Sequence, residues 1–401
     1  MSIKQKYTIL FILGGLSALA PFSIDMYLPA FPSISKSLNT DISQVGLSLT
    51  AYFIGISIGQ LFYGPITDKY GRKKPLLFGL SIFLLASIGC ALSPSINWLI
   101  GMRVVLALGG CVGMVVSRAI VRDLFPVTEI AKIFSILMLI VGVAPVLAPT
   151  IGGWVLSVST WRTIFYFLTG FSLLLIAAVY FFLPESKQPD TSKSLSFQNV
   201  LQEYKTVLED KSFLFYALAG GIAMAGMFAY ISGSPFVFMK YFNSTETEYS
   251  WIFGANACGL IIGSQINRLL LMKWNTVQVA ATVSVLLCCI ALILLSLYHL
   301  EMLDKKILIV LLFCFLLCLG MFVPNATALA LAPFTKNAGS ASALLGFLQM
   351  LCSATISGLV SFLHDETMFP MVFCMFLCGA ISFMTISFFH LRQKVLKFQN
   401  I

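Results

Sequence analysis

The sequence predicts an all-α membrane protein of twelve transmembrane helices, arranged as two pseudo-symmetric bundles of six. Hydrophobic residues make up 59% of the 401 positions and charged residues only 10%. A soluble domain carries about 25% charged residues, so this composition excludes a water-facing surface. Apolar runs of about 20 residues suit helices, whereas the strands of a membrane barrel need only about 10 alternating residues.

The predicted spans follow the hydropathy along the chain. They cover residues 7–31, 44–67, 75–93, 97–121, 130–158, 162–183, 213–239, 249–271, 276–298, 307–332, 338–362 and 368–390. One long polar connection, Pro184–Ser212, separates six spans from six, and its second part is expected to form an amphipathic surface helix. We therefore expect an N-terminal bundle at 1–183, a cytoplasmic linker at 184–212 and a C-terminal bundle at 213–401.

The positive residues predict the orientation in the membrane. With the N-terminus inside, nineteen of the 25 lysines and arginines fall on the cytoplasmic side, five fall outside, and Arg103 lies within a span. Because positive residues are enriched in cytoplasmic loops, both termini are predicted to be cytoplasmic. The net charge of +9 then needs no nucleic-acid partner.

Asp25 lies in "PFSIDMYLPA", at the end of a first span that is otherwise uncharged. Placing a charged carboxylate at membrane depth costs about 2.5 kcal/mol or more, so such residues usually face a cavity and act in transport. Pro21, Pro29 and Pro32 surround it and predict a bent helix. A structural aspartate bonded to a neighbouring helix is the alternative.

Several stretches resemble a known family. "GPITDKYGRKK" (Gly64–Lys74), "RVVLALGGCVG" (Arg103–Gly113) and "GVAPVLAPTIGG" (Gly142–Gly153) are similar to motifs of the major facilitator superfamily. With "SIDMYLPAFP" in span one and "VSRAIVRDLF" in span four, the chain resembles the Bcr/CflA drug:proton antiporters of the bicyclomycin-resistance type. The resemblance implies the major facilitator fold and proton-coupled efflux. Leu106 departs from the family, which often has Gln there.

The resemblance also implies roles for the two charges inside the first bundle. Asp25 is expected to bind and release the coupling proton, and Arg103 to influence that release or hold substrate. A buried guanidinium stays charged and needs acceptors; Asp25 and the carbonyls of span one are the available ones. The alternative for Arg103 is an arginine that reaches outward to the membrane surface.

The loop after span two resembles a gate. Gly64 is expected to allow close helix approach, with Asp68, Gly71 and Arg72 forming a latch. The resemblance implies that this loop meets the start of span eleven, Asn337–Gly346, and the partly positive N-terminus of that helix would attract Asp68. The remaining gating candidates, expected to form salt bridges with the start of span five, are Arg118, Arg122 and Asp123.

Span five carries the motif found in proton-coupled exporters. Glycines allow tight helix packing and prolines bend the helix. The resemblance implies that this span seals the pathway against proton leak and sets the direction of coupling; a purely structural kink is the alternative. Its residues are Gly142, Pro145, Pro149, Gly152 and Gly153.

The substrate pocket is predicted from residues near the middle of the membrane that are flexible, aromatic or polar. Methionine-rich surfaces suit permissive binding. The candidates are Tyr52, Met114, Met138, Met224, Met227, Tyr230, Asn256, Asn325 and Gln349.

The remaining expectations concern partners and alternatives. The sequence predicts no metal, no cofactor and no enzyme activity, because no ligand cluster, nucleophile–base set or GxxxxGK[ST] loop is present. The expected partners are a small-molecule substrate, protons and the lipid bilayer, for a monomer in a bacterial inner membrane. A proton-coupled carrier for one metabolite, peptide or siderophore, or a transporter-like sensor, remains the alternative.

Overall fold

The computed structural model describes residues 3–189, 197–334 and 338–399. Within these ranges, side chains are described except at 3–4, 127–128, 130–132, 135, 138, 197–200, 338 and 390–399. The chain divides into two compact units, one of residues 1–202 with 245–254 and one of 203–244 with 255–401. The predicted domain boundaries at 183 and 212 stay a prediction.

Long helices dominate the first unit. They are α1 (Ile3–Asp25), α2 (Phe31–Ser37), α3 (Ile42–Tyr70), α4 (Lys73–Ala91), α5 (Ile96–Leu124), α6 (Val127–Val158) and α7 (Arg162–Phe182). Helix α5 lies at the centre, since α1, α3 and α4 all pack against it, while α6 and α7 pack on α1. This arrangement places the first helix and the arginine-bearing fifth helix side by side.

The second unit repeats this pattern. After α8 (Phe197–Glu209), the helices are α9 (Lys211–Pro235, continued by a π-helical turn, Phe236–Tyr241), α10 (Glu246–Leu270), α11 (Thr276–His299), α12 (Lys305–Leu331), α13 (Ala338–Phe362) and α14 (Phe369–Gln399). The part of α10 up to residue 254 belongs to the first unit. Helix α9 packs against α12, α13 and α14. Helix α8 lies where the second part of the linker was expected to be helical; residues 190–196 of the linker lie outside the described residues.

Eleven helices of the described chain are long and apolar enough to cross a membrane. The twelfth predicted span corresponds to α10, a full helix that carries Glu246, Glu248 and Arg268 near its ends. Every predicted span overlaps a long helix, although α1 ends at Asp25 rather than at 31 and α14 ends at Gln399 rather than at 390. The predicted fold class is confirmed.

The first span is interrupted in the middle. Helix α1 stops at Asp25, a short 3-10 turn covers Leu28–Ala30, and α2 then continues to Ser37. Pro29 and Pro32, each near the start of one of these segments, lack the backbone donor that a continuous α-helix would use. The bend expected from the prolines is thus a break in the helix, directly after the acidic residue.

Candidate functional site: a buried acid and a caged arginine

Asp25 is the last residue of α1 and is only 4% exposed. The Met26 amide donates to the Phe22 carbonyl oxygen at 3.3 Å, which closes the final turn beneath it. Among the described side chains, none forms an ion pair with the Asp25 carboxyl group. The structure therefore places an acid inside the protein without a fixed countercharge, at the point where the helix breaks.

Arg103 lies on α5 and is completely buried. Its NH1 group donates to the backbone carbonyl oxygen of Ser23 at 2.8 Å, two residues before Asp25. This carbonyl is one of the acceptors predicted from the sequence. The alternative of an arginine reaching outward to the membrane surface is wrong, because such a side chain would be exposed.

Two tyrosine rings enclose the guanidinium. Its central carbon lies 4.5 Å from the ring centre of Tyr27 and 4.4 Å from that of Tyr52. The Tyr27 hydroxyl shares a 2.8 Å hydrogen bond with the Ser48 hydroxyl, which fixes that ring. Since cation–π contacts are worth about 2 kcal/mol when desolvated, the two rings stabilise the buried positive charge of Arg103. We call Tyr27 and Tyr52 the tyrosine cage.

The cage leaves part of the arginine unsatisfied. Neither Nε nor NH2 of Arg103 has a hydrogen-bond partner among the described atoms. The arrangement thus combines a buried acid with a buried arginine that lies against two tyrosine rings and keeps two donors without a partner among the described atoms.

Gly152, in the span-five motif, packs against the backbone next to Asp25. A Cβ atom at Gly152 of α6 would collide with the carbonyl oxygen of Met26, the residue after Asp25. Nearby, the Ser250 hydroxyl donates to the Pro149 carbonyl oxygen at 2.9 Å, in the part of α10 that belongs to the first unit. The span-five motif therefore lies against the break in the first span.

Gly152→Ala should lower the free energy of unfolding by about 1–3 kcal/mol, the usual cost of overpacking. The added methyl group must push α6 away from the backbone beside Asp25. Gly170→Ala in α7 is the matched control, because a Cβ there meets no described atom within 4 Å. Denaturant or thermal unfolding of both variants measures the difference; equal stabilities would contradict the close contact.

The loop between α3 and α4 is held by a charged network. Arg72 pairs with Asp68 (NH1 to Oδ1, 2.9 Å) and with Asp123 at the end of α5 (Nε to Oδ2, 2.9 Å). Arg72 is 7% exposed, whereas the Asp68 side chain is 37% exposed and that of Asp123 is 21% exposed, so only the arginine side of each pair is shielded from solvent. Three of the predicted gating residues, Asp68, Arg72 and Asp123, are therefore brought together.

The segment after α7 completes this network, which the sequence analysis missed. The Lys187 ammonium group binds Asp68 at 2.8 Å. The Glu185 carboxylate accepts from the backbone amides of Arg72 at 2.7 Å and Lys73 at 3.1 Å. The first residues of the linker therefore clamp the α3–α4 loop.

One expectation about this region is wrong. A Cβ at Gly64 would meet no described atom within 4 Å, so no close helix approach depends on that glycine here. The constrained glycine is Gly71, with φ +81°, a conformation that favours glycine. A Cβ there would lie 2.8 Å from a Glu185 carboxylate oxygen.

The start of span five does not pair with the end of span four as expected. Glu129 of α6 binds Lys6 of α1 at 2.7 Å, and Asp123 binds Arg72 instead. Among the described ion pairs, none includes Arg118 or Arg122. Asn337, the first residue of the segment Asn337–Gly346 that was predicted to meet Asp68, lies outside the described residues, and the contact between Asp68 and span eleven stays a prediction.

The predicted pocket residues fall into two groups. Tyr52, Tyr230, Asn256 and Asn325 are buried. Asn256 donates to the Tyr230 hydroxyl at 3.2 Å, and Asn325 donates to Asn267 at 2.6 Å, so these amides already serve the packing of the second unit.

The other pocket residues keep part of their surface exposed. They are Met114, Met224, Met227 and Gln349. The side chain of Met138 lies outside the described part of the chain. The partly exposed residues are the better candidates for substrate contact.

A family profile, the Major Facilitator Superfamily, matches residues 13–357. The chain belongs to this superfamily. An uncharacterized MFS-type transporter, YdgK, of Bacillus subtilis is 36% identical over 98% of this chain and 97% of its own length. A bicyclomycin resistance protein homolog of Haemophilus influenzae is 30% identical over 98% of this chain and 99% of its own length. These relatives confirm the resemblance to the bicyclomycin-resistance type of drug:proton antiporter.

A solved structure gives the same fold. The crystal structure of a D-xylose-proton symporter matches with a TM-score of 0.73 at 15% identity, covering 95% of this chain and 97% of that one. At this identity the likeness concerns the fold alone. The superfamily member described here is a multi-pass membrane transporter and not an enzyme.

Proposed function

We propose that this transporter exports small amphipathic molecules in exchange for protons, by alternating access. The observation that carries the proposal is the burial of Asp25 at the break of the first span, without an ion pair to a described side chain. A carboxylate in such surroundings costs about 2.5 kcal/mol or more when charged. Binding a proton removes that cost, so the residue can alternate between two states.

Arg103 is the second part of the proposed mechanism, because it can influence proton release from Asp25. Its Nε and NH2 donors are free, and it is anchored two residues from Asp25 through the Ser23 carbonyl. We propose that Arg103 favours proton release from Asp25 when the acid turns toward it, and that the tyrosine cage holds the guanidinium ready. Competition between a proton and substrate for Asp25 then couples the two movements.

The proposal also implies the orientation of the transporter in the membrane and the energy available for substrate export. Both termini are cytoplasmic in a bacterial inner membrane, as the lysine and arginine distribution predicts. One proton crossing about 150 mV supplies about 3.5 kcal/mol, at about 2.3 kcal/mol per 100 mV. That energy supports a substrate gradient of roughly 300-fold.

The substrate class rests on relatives and on partly exposed side chains. A relative named for bicyclomycin resistance favours antibiotics and similar amphipathic compounds. Met114, Met224, Met227 and Gln349 remain the proposed contacts. The span-five motif, with Gly152 against Met26, is proposed to keep the proton path closed during the exchange.

Transport into proteoliposomes tests the proposal. An acidic interior should drive uptake of labelled amphipathic drugs, and dissipating the pH difference with a protonophore should stop it. An alkaline interior should give no accumulation. Accumulation driven by an acidic exterior would instead show import with protons, and activity restricted to one peptide, amino acid or siderophore would show a dedicated carrier.

A further inference from the structure

An apolar groove runs along the first unit between α3 and α4. Its volume is about 440 Å³, with Phe62 and Ile66 of α3 on one wall and Phe78 of α4 on the other. Leu108 of α5 lies at its floor. The groove belongs neither to the Asp25 site nor to the charged network.

The helix packing explains why the groove exists. Helices α3 and α4 both pack tightly on α5 and touch each other little. A Cβ at Gly55 of α3 would lie 2.7 Å from the Val104 carbonyl oxygen of α5, and one at Gly109 of α5 would lie 2.7 Å from the Gly79 carbonyl oxygen of α4. Because both helices are drawn inward onto α5, a slot stays open between their outer faces.

The rim of the groove is exposed and apolar. Phe62 is 51% exposed, Tyr70 49% and Phe78 67%. In a membrane protein such side chains face lipid, so an acyl chain is the natural material to fill a slot of this kind. The volume is within the range of ordinary ligand pockets, which is about 300–1,000 Å³.

One end of the groove carries positive charge. Lys74 lines it and is exposed, beside Tyr70, at the point where α3 ends and α4 begins. The other cations of this loop are engaged, since Arg72 binds two aspartates and the Lys73 ammonium group donates to the Tyr180 carbonyl oxygen at 2.8 Å. No described side chain forms an ion pair with Lys74. Lys69 lies close by, with its ammonium group 5.6 Å from the Tyr70 ring centre.

We propose that this groove binds one anionic phospholipid from the leaflet that adjoins the α3–α4 loop. An acyl chain lies along Phe62, Ile66 and Phe78, and the phosphate headgroup meets Lys74. Basic pockets between membrane helices recognise acidic lipids in this way. Tyrosine at the mouth suits the interface, where aromatic rings are enriched. The inference needs only the membrane location and does not depend on proton-coupled export.

Thermal unfolding of the purified full-length protein in detergent tests the lipid site. Phosphatidylglycerol should raise the midpoint at lower concentration than phosphatidylcholine with the same acyl chains. Lys74→Ala should raise the phosphatidylglycerol concentration needed for half the effect by about 5-fold, which corresponds to the loss of about 1 kcal/mol. Lys273→Ala is the matched control, since Lys273 is exposed in the turn after α10 and does not line the groove; it should behave as wild type.

A second variant tests the acyl-chain part. Ile66→Trp should fill the slot and weaken stabilisation by both lipids, while Lys74→Ala weakens only the acidic one. Equal responses of the wild type to the two lipids, or equal losses in Lys74→Ala and Lys273→Ala, would overturn the proposal. So would full stabilisation by inorganic phosphate alone, or an unchanged lipid response in Ile66→Trp.

Discussion

Asp25→Asn will abolish pH-gradient-driven transport and leave the protein folded in the membrane. Asparagine has nearly the same shape, so the packing at the end of α1 is kept, but its amide cannot bind and release a proton. The variant also stays neutral and avoids the cost of a buried charge, about 2.5 kcal/mol or more. Its thermal unfolding midpoint should therefore equal or exceed that of the wild type, while uptake driven by an acidic interior falls to the level of empty liposomes.

Asp41→Asn provides the matched control for this experiment. Asp41 precedes α3, is exposed and makes no capping hydrogen bond with its side chain. The same chemical change there should leave transport intact. If Asp25→Asn accumulated substrate as the wild type does, Asp25 would not carry the proton and the proposed mechanism would be wrong.

The fold was predictable from the sequence because the requirements for crossing a membrane are visible in the amino-acid composition of each span. A helix that crosses lipid must satisfy its own backbone and present apolar side chains, and both requirements appear as apolar runs of the right length. Asp25 and Arg103 were conspicuous for the same reason, since a charge inside such a run is costly. The prolines indicated a bend in span one, but the position of the break after Asp25 depends on packing.

The tyrosine cage was not predictable from the sequence. Tyr27 and Tyr52 look like any other aromatic residues in apolar helices, and only the arrangement of α1, α3 and α5 brings them onto Arg103. Tyr52 was predicted as a substrate contact, whereas the structure buries it against the guanidinium. We propose that it acts through Arg103.

The clamp on the α3–α4 loop was missed for a different reason. Glu185 and Lys187 lie in a polar linker, where charges are common and do not stand out. Their partners are more than a hundred residues away in the chain, so neither spacing nor periodicity links them. Gly64 and Gly71 lie in the same motif, and only the backbone angle of +81° identifies Gly71 as the constrained one.

Arg103→Ala will abolish coupled transport while changing the free energy of unfolding by no more than about 2 kcal/mol. Two opposing effects explain the small change in stability. Removing the side chain loses the contacts with the tyrosine cage, and a desolvated cation–π interaction contributes about 2 kcal/mol to the free energy of unfolding. It also loses the hydrogen bond to the Ser23 carbonyl, which contributes about 1–3 kcal/mol. It also removes a buried charge with two unsatisfied donors, whose desolvation costs several kcal/mol.

The Arg103→Lys variant tests whether transport needs only a positive charge at this position or also the planar guanidinium group. Lysine keeps the positive charge but lacks the planar fork that stacks between two rings and donates in several directions. We expect slower transport with an altered pH dependence, measured as initial uptake rates between pH 6 and 8. A pH profile identical to that of the wild type in both Arg103 variants would show that Arg103 takes no part in proton coupling.

Arg162→Ala is the matched control for both Arg103 variants. Arg162 also lies over an aromatic ring, 4.4 Å from the centre of Trp161, and donates to a backbone carbonyl, that of Ser93, at 3.1 Å. It starts α7 and is only half-buried, so its loss should affect packing without changing the pH profile. An equal effect of Arg162→Ala on that profile would mean that the response reports general loosening of the first unit. If only the Arg103 variants change the pH profile, proton coupling depends on Arg103, which bonds to the Ser23 carbonyl in the last turn of α1, two residues before Asp25.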